Sequence, residues 1–141
     1  MAAPQLIWEC VKRNSSFIRK SRNMPTMSAE PGNLCGVNSY KFSGIANEKV
    51  FNLSTQKTGQ KETILMTVGH KKASRSRRPA SLLLQSGVKK QSKKGLAQIA
   101  KATAGSFYRR DLLGLAEAKF NKIKTSFKKK KVVVKSRRAG K

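Results

Sequence analysis

Apolar and polar positions alternate most clearly between residues 38 and 68. Asn38 to Ser43 sets Tyr40 and Phe42 against Ser39, Lys41 and Ser43. Lys49 to Thr55 sets Phe51 and Leu53 against Val50, Asn52 and Ser54, and Glu62 to Val68 sets Ile64, Met66 and Val68 against Thr63, Leu65 and Thr67. A period of two puts each set on one face, which predicts strands of an antiparallel sheet with one buried side. The polar stretch Gln56 to Lys61, containing Gly59, closes the hairpin between the last two. Upstream, Pro4 followed by Leu6, Ile7, Trp8 and Val11 predicts a short helix over Gln5 to Lys12. Ser15 to Lys20 reads as a strand end or edge, and Pro25 and Pro31-Gly32 require turns. Phe17, Tyr40, Phe42 and Phe51 are assigned to the core rather than to base stacking.

After Gly69 the period changes. Leu82-Leu83-Leu84 is too short a run to classify as strand or helix. Leu96, Ile99, Ala100, Thr103 and Phe107 then recur at spacings of three and four, an apolar helical stripe with Gly105 as its stop signal. Asp111 is placed to cap a second helix, whose stripe is Leu112, Leu113, Ala116, Phe120, Ile123 and Phe127 and whose solvent side carries Lys119, Lys122 and Lys124. The expected fold class is α+β: a small antiparallel sheet in the N-terminal half, two C-terminal helices and a basic extended tail. The expected segments are a strand-rich domain with a short N-terminal helix (1–70), a basic connector (71–91), a helical hairpin (92–127) and a basic tail (128–141).

Charge changes the picture most. The chain carries 32 Lys and Arg against six Asp and Glu, a net +26 over 141 residues. Like charges packed this densely oppose compaction unless a polyanion neutralises them, and nucleic acid does so with release of counterions. The cations fall in clusters: Lys12, Arg13, Arg19, Lys20 and Arg22 near the start; Lys71, Lys72, Arg75, Arg77 and Arg78 in the connector; Lys89, Lys90, Lys93 and Lys94 before the first long helix; and Arg109 and Arg110 between the helices. In the tail stand Lys128, Lys129, Lys130, Lys131, Lys135, Arg137 and Arg138. All are candidate RNA-binding residues acting on phosphate, and the tail also has the composition of a nuclear import signal.

Other chemistry finds little support. The acidic residues are scattered, with no local carboxylate pair, Gly-rich phosphate loop or Ser-His-Asp grouping, so no enzyme activity is expected. Cys10, Cys35 and the single His70 cannot complete a four-ligand zinc site, so no metal or cofactor is expected, and both cysteines read as reduced thiols. No small-molecule substrate is indicated. The start lacks a secretory pattern, and no apolar run reaches the roughly 18 residues that a membrane span needs. Zinc-finger spacing, heptads after a basic region, the RRM aromatic signature and a GXXG clamp are also missing. A small core with basic extensions at several points suits a protein lodged among RNA helices.

Three stretches carry a family resemblance. Leu6-Ile7-Trp8-Glu9-Cys10-Val11-Lys12-Arg13-Asn14-Ser15-Ser16-Phe17-Ile18, then Glu30-Pro31-Gly32-Asn33-Leu34 with Asn38-Ser39-Tyr40-Lys41-Phe42-Ser43-Gly44, and finally Tyr108-Arg109-Arg110-Asp111-Leu112 resemble, in order, segments of the eukaryotic large-subunit ribosomal proteins of the twenty-eighth family. Gly32 stands in place of an asparagine, a change that a turn tolerates, and Arg110 stands where the family often has proline. The resemblance implies a structural constituent of the cytosolic large ribosomal subunit. Its implied partners are large-subunit rRNA and neighbouring ribosomal proteins, with nuclear and nucleolar transit during assembly. Nucleolar assembly factors share the N-terminal pattern but are longer and carry cysteine and acidic segments missing here. A histone-like DNA-compacting protein is a further alternative, to which the aromatic-containing sheet is an awkward fit.

Overall fold

The computed structural model describes residues 2–59, 61–72, 74–75 and 78–127. Its centre is a three-stranded antiparallel sheet in the order β3-β4-β5, formed by Phe51–Thr58, Lys61–Gly69 and Leu83–Val88. Register follows the alternation: Phe51 pairs with Val68, Leu53 with Met66, and Ile64 with both Thr55 and Val88. Phe51, Leu53, Ile64, Met66 and Val88 therefore share one face and are buried. Thr58 pairs with Lys61, so the hairpin turn is shorter than the polar stretch suggests. Gly59 supplies its left-handed residue at φ 58°.

Two longer helices cover this face. α3 (Ser92–Ala100) continues into a wider π turn over Lys101–Gly105, and α4 (Leu113–Ser126) follows a short 3-10 turn at Arg110–Leu112. Ile99, Leu112, Ala116 and Phe120 pack against the sheet's apolar residues, each large side chain contributing about 1.5–3 kcal/mol relative to exposure. The buried Thr103 hydroxyl donates to the Ile99 carbonyl at 2.9 Å, so its burial leaves no orphan donor.

Two glycines in these helices make opposite demands. A Cβ at Gly95 would lie 2.5 Å from both the Lys89 carbonyl oxygen and Phe120 Cζ, whereas one at Gly114 would meet nothing within 4 Å. Gly114→Ala is expected to stabilise by about 0.5–1 kcal/mol through helix propensity. Gly95→Ala is expected to cost about 1–2 kcal/mol despite the same gain. Denaturant midpoints of the two variants check the sign of each.

The N-terminal half is less regular. α1 (Pro4–Val11) forms where expected, and β1 (Ile18–Arg19) pairs antiparallel with β2 (Met27–Ser28). Asn38 to Ser43, predicted as a strand, is instead a 3-10 turn at Tyr40–Phe42, because the Ser43 N–H bonds back to Ser39 and Tyr40 and the Asn47 amide donates to the Tyr40 and Ser43 carbonyls. Tyr40 and Phe17, both expected in the core, are 37% and 36% exposed, while Phe51 is buried and Phe42 packs against the core. Tyr40 lies against Trp8 with ring centroids 6.0 Å apart.

Composition assigns residues 71–91 to a connector, yet this stretch contributes β5 and a single helical turn, α2 (Pro79–Leu82). Phe107, placed on the helical stripe, is exposed instead, since the helix has ended by then. Asp111 makes no side-chain capping bond to α4; its carboxylate is taken by Arg109.

Candidate nucleic-acid interface

Candidate cations divide into those facing solvent and those that hold the fold. Arg13, Arg19, Lys20, Arg22, Lys71, Lys72, Arg75, Arg78, Lys89, Lys90, Lys93, Lys94 and Arg110 are all exposed. Among the described residues, only Lys12, Lys41 and Arg109 come within ion-pair distance of a carboxylate, with Glu9 as the partner of Lys12. The other described cations thus carry charge that no carboxylate of the described chain offsets. Arg77, Lys128 to Lys131, Lys135, Arg137 and Arg138 lie outside the described residues.

One group converges. Lys89, at the end of β5, and Lys94 and Lys101, seven residues apart on one helix, line a shallow groove of about 540 Å³ with Gly87, Ala97 and Gln98. Gln98 fixes its floor, donating to the Gly87 carbonyl at 2.9 Å and accepting the Lys89 N–H at 3.3 Å. Three ammonium groups around a groove suit an anion larger than a single carboxylate. Lys101 was not among the sequence candidates, although its position seven residues after Lys94 places both on one helical face. The early cations lie around α1 and the β1-β2 pair, apart in sequence from this groove. Lys90 sits over the Phe127 ring at 5.2 Å.

Arg109 behaves differently from its neighbours. Its guanidinium donates to the Lys49 carbonyl at 2.8 Å, to the Lys41 carbonyl at 2.9 Å, and to both Asp111 carboxylate oxygens. It straps the turn before α4 to the segment leading into β3. The guanidinium beside Asp111 holds that carboxyl below its usual range, with burial opposing. Tyr108 adds a second strap: its hydroxyl accepts the Val50 N–H at 3.0 Å, and burial raises its pKa. Lys119, expected on the solvent side of α4, donates instead to the Leu34 carbonyl at 2.7 Å and to Asn52 Oδ1 at 2.8 Å. Burial pushes its ammonium pKa down. Its spacings of seven from Leu112, three from Ala116 and four from Ile123 set it at the edge of the apolar stripe, which separates it from Lys122.

The motif Glu30 to Leu34 is likewise internal. The buried Glu30 carboxylate accepts from Asn33 Nδ2 at 3.2 Å and from Ser43 Oγ at 3.1 Å, while Leu34 enters the core. Among the described residues no group of three His, Cys, Asp or Glu could hold a metal ion, and no helix is long and apolar enough to cross a membrane.

The profile of the Ribosomal L28e protein family matches residues 6–126. A protein of Schizosaccharomyces pombe named large ribosomal subunit protein eL28 is 28% identical over 131 residues, covering 91% of this chain and 95% of its own length. Proteins of the same name from Dictyostelium discoideum and Caenorhabditis elegans are 41% identical over 49 residues and 38% over 55. Those two alignments cover only 36% and 44% of the relatives' lengths.

Proposed function

Since this chain belongs to the Ribosomal L28e protein family, we propose that it is a structural constituent of the cytosolic large ribosomal subunit, bound to large-subunit rRNA through phosphate contacts. The observation that carries this reading is the set of exposed cations that have no carboxylate partner among the described residues, three of which, Lys89, Lys94 and Lys101, line one groove. Such charge lowers the free energy of the complex by releasing counterions from RNA and carries no base readout of its own. The small α+β core serves as a rigid mount that presents cations from several directions. Neighbouring ribosomal proteins are the other expected partners, and assembly of the particle entails passage through the nucleus and nucleolus.

Sucrose-gradient fractionation of native lysate tests the role. The protein should appear at one copy per large subunit and persist in polysomes at moderate salt. Its confinement to precursor particles would identify an assembly factor instead, and its association with chromatin rather than subunits would identify a DNA-compacting protein.

The groove is tested by replacing Lys89, Lys94 and Lys101 together with alanine. The slope of log affinity against log salt should become shallower by up to about 0.9 for each lysine that meets a phosphate on a duplex, and less on single strands. An unchanged slope would show that these lysines are solvated in the complex.

A further inference from the structure

We propose that Phe107 is a stacking platform for an unpaired nucleobase of the rRNA, displayed at the end of the π turn beside Arg110. This inference rests on the rRNA-binding reading above. The backbone around Phe107 closes the helix with two crossed hydrogen bonds, from the Tyr108 N–H to the Thr103 carbonyl at 3.0 Å and from the Phe107 N–H to the Ala104 carbonyl at 3.2 Å. That pairing is the Schellman arrangement, which forces the residue between the two ends into the left-handed region, and Phe107 has φ 52°. Glycine normally stands there, because a Cβ crowds the neighbouring carbonyl. Here the glycine comes two residues earlier, at Gly105, and phenylalanine takes the strained position.

Strain of this kind persists where something else favours the residue. Packing within the chain does not supply that, since Phe107 is 72% exposed, more than any other large apolar side chain among the described residues. Its surroundings point to the chemistry of the missing contact. The Arg110 guanidinium lies 5.4 Å from the ring centroid, and Lys101, exposed, runs alongside Gly105. The acid nearest in sequence, Asp111, is already held by Arg109. An exposed aromatic ring with a guanidinium over it matches a nucleotide, with the base on the ring's free side and its phosphate near the arginine. An apolar pocket on a neighbouring protein would have no use for that charge.

The test uses the full chain with two fluorescent RNA probes of equal length, an unstructured strand and a perfect duplex, together with thermal unfolding of the free protein. Phe107→Gly and Phe107→Asn both relieve the left-handed constraint and remove the ring. Each should leave the melting temperature equal or higher, weaken single-strand binding by roughly 5- to 100-fold, and leave duplex binding unchanged. Phe107→Leu, which keeps apolar bulk without a π face, should lose single-strand binding as well. Single-strand affinity unchanged in the Gly and Asn variants, or retained in the Leu variant, would overturn the proposal, and so would a marked fall in melting temperature, which would make the ring structural. A wild-type chain that binds neither probe would sink the rRNA-binding reading too. Wild-type binding to both probes, matched by the variants, would sink this inference alone.

Discussion

Replacing Gly44 by alanine is expected to lower stability by about 3–4 kcal/mol, the upper range for overpacking by one methyl group. A Cβ there would collide with the Pro31 carbonyl oxygen and stand 2.9 Å from the Gly32 Cα. Both obstacles are main chain, so no side-chain rotation relieves the clash. The 30–34 loop would have to lift from the 43–44 segment, which breaks the Ser43–Glu30 hydrogen bond and draws Leu34, now 2% exposed, out of the core. Urea midpoints of Gly44→Ala and of Gly87→Ala, whose added Cβ meets nothing within 4 Å, provide the comparison. Equal midpoints would show that the loop crossing is not closely packed. Gly32 is constrained on the same crossing: its φ is 86°, and its Cβ would strike Val50 Cγ1. As a turn residue alone it reads as freely exchangeable, but the neighbouring β-branched side chain makes it otherwise.

The difference between what could and could not be read from the sequence follows from how local each determinant is. β3 and β4 are legible because their burial obeys a strict period of two across residues that pair directly. β5 is not, because its core-facing set Leu84, Ser86 and Val88 has a serine in the middle and an exposed leucine at one end. Tyr40 and Phe42 imitate a strand, while the contact that makes their segment a turn comes from Asn47, outside the window that shows the alternation. The α3 and α4 stripes were legible up to Thr103 and from Leu112, and failed where backbone closure rather than periodicity sets Phe107. Charge clustering identified cations that do face solvent, but it could not separate Arg109 and Lys119 from the rest. Their partners are carbonyls distant in sequence, and carbonyls leave no mark in a residue string. The family motifs show the same division. Glu30 to Leu34 and Tyr108 to Leu112 are legible as signatures, and both fasten the irregular N-terminal half to the sheet and helices, the first through Leu34 in the core and its carbonyl on Lys119, the second through Tyr108 and Arg109.

Arg109 is where that fastening can be broken most directly. Arg109→Ala should cost about 2–3 kcal/mol, since hydrogen bonds to a charged group contribute roughly 1.5–3 kcal/mol and the side chain is only 14% exposed. Arg109→Lys should cost nearly as much, because one ammonium cannot span the Lys41 and Lys49 carbonyls and also meet both oxygens of Asp111 as the guanidinium fork does. A variant that restores most of the stability with lysine would show that charge alone is required. The strap also has a pH signature. The folded-state pKa of Asp111 is depressed, chiefly by its hydrogen bond from Arg109. Its contribution is therefore present above the ordinary aspartate pKa and lost as pH falls through the folded value. The carboxylate is 42% exposed, so solvent screening keeps this contribution small beside the carbonyl bonds. NMR titration should accordingly find the Asp111 carboxyl titrating below the usual range in the wild type and returning toward it in Arg109→Ala. An unchanged titration would mean that the guanidinium does not hold the carboxylate in solution, and the stability loss would then have to come from the two carbonyls alone.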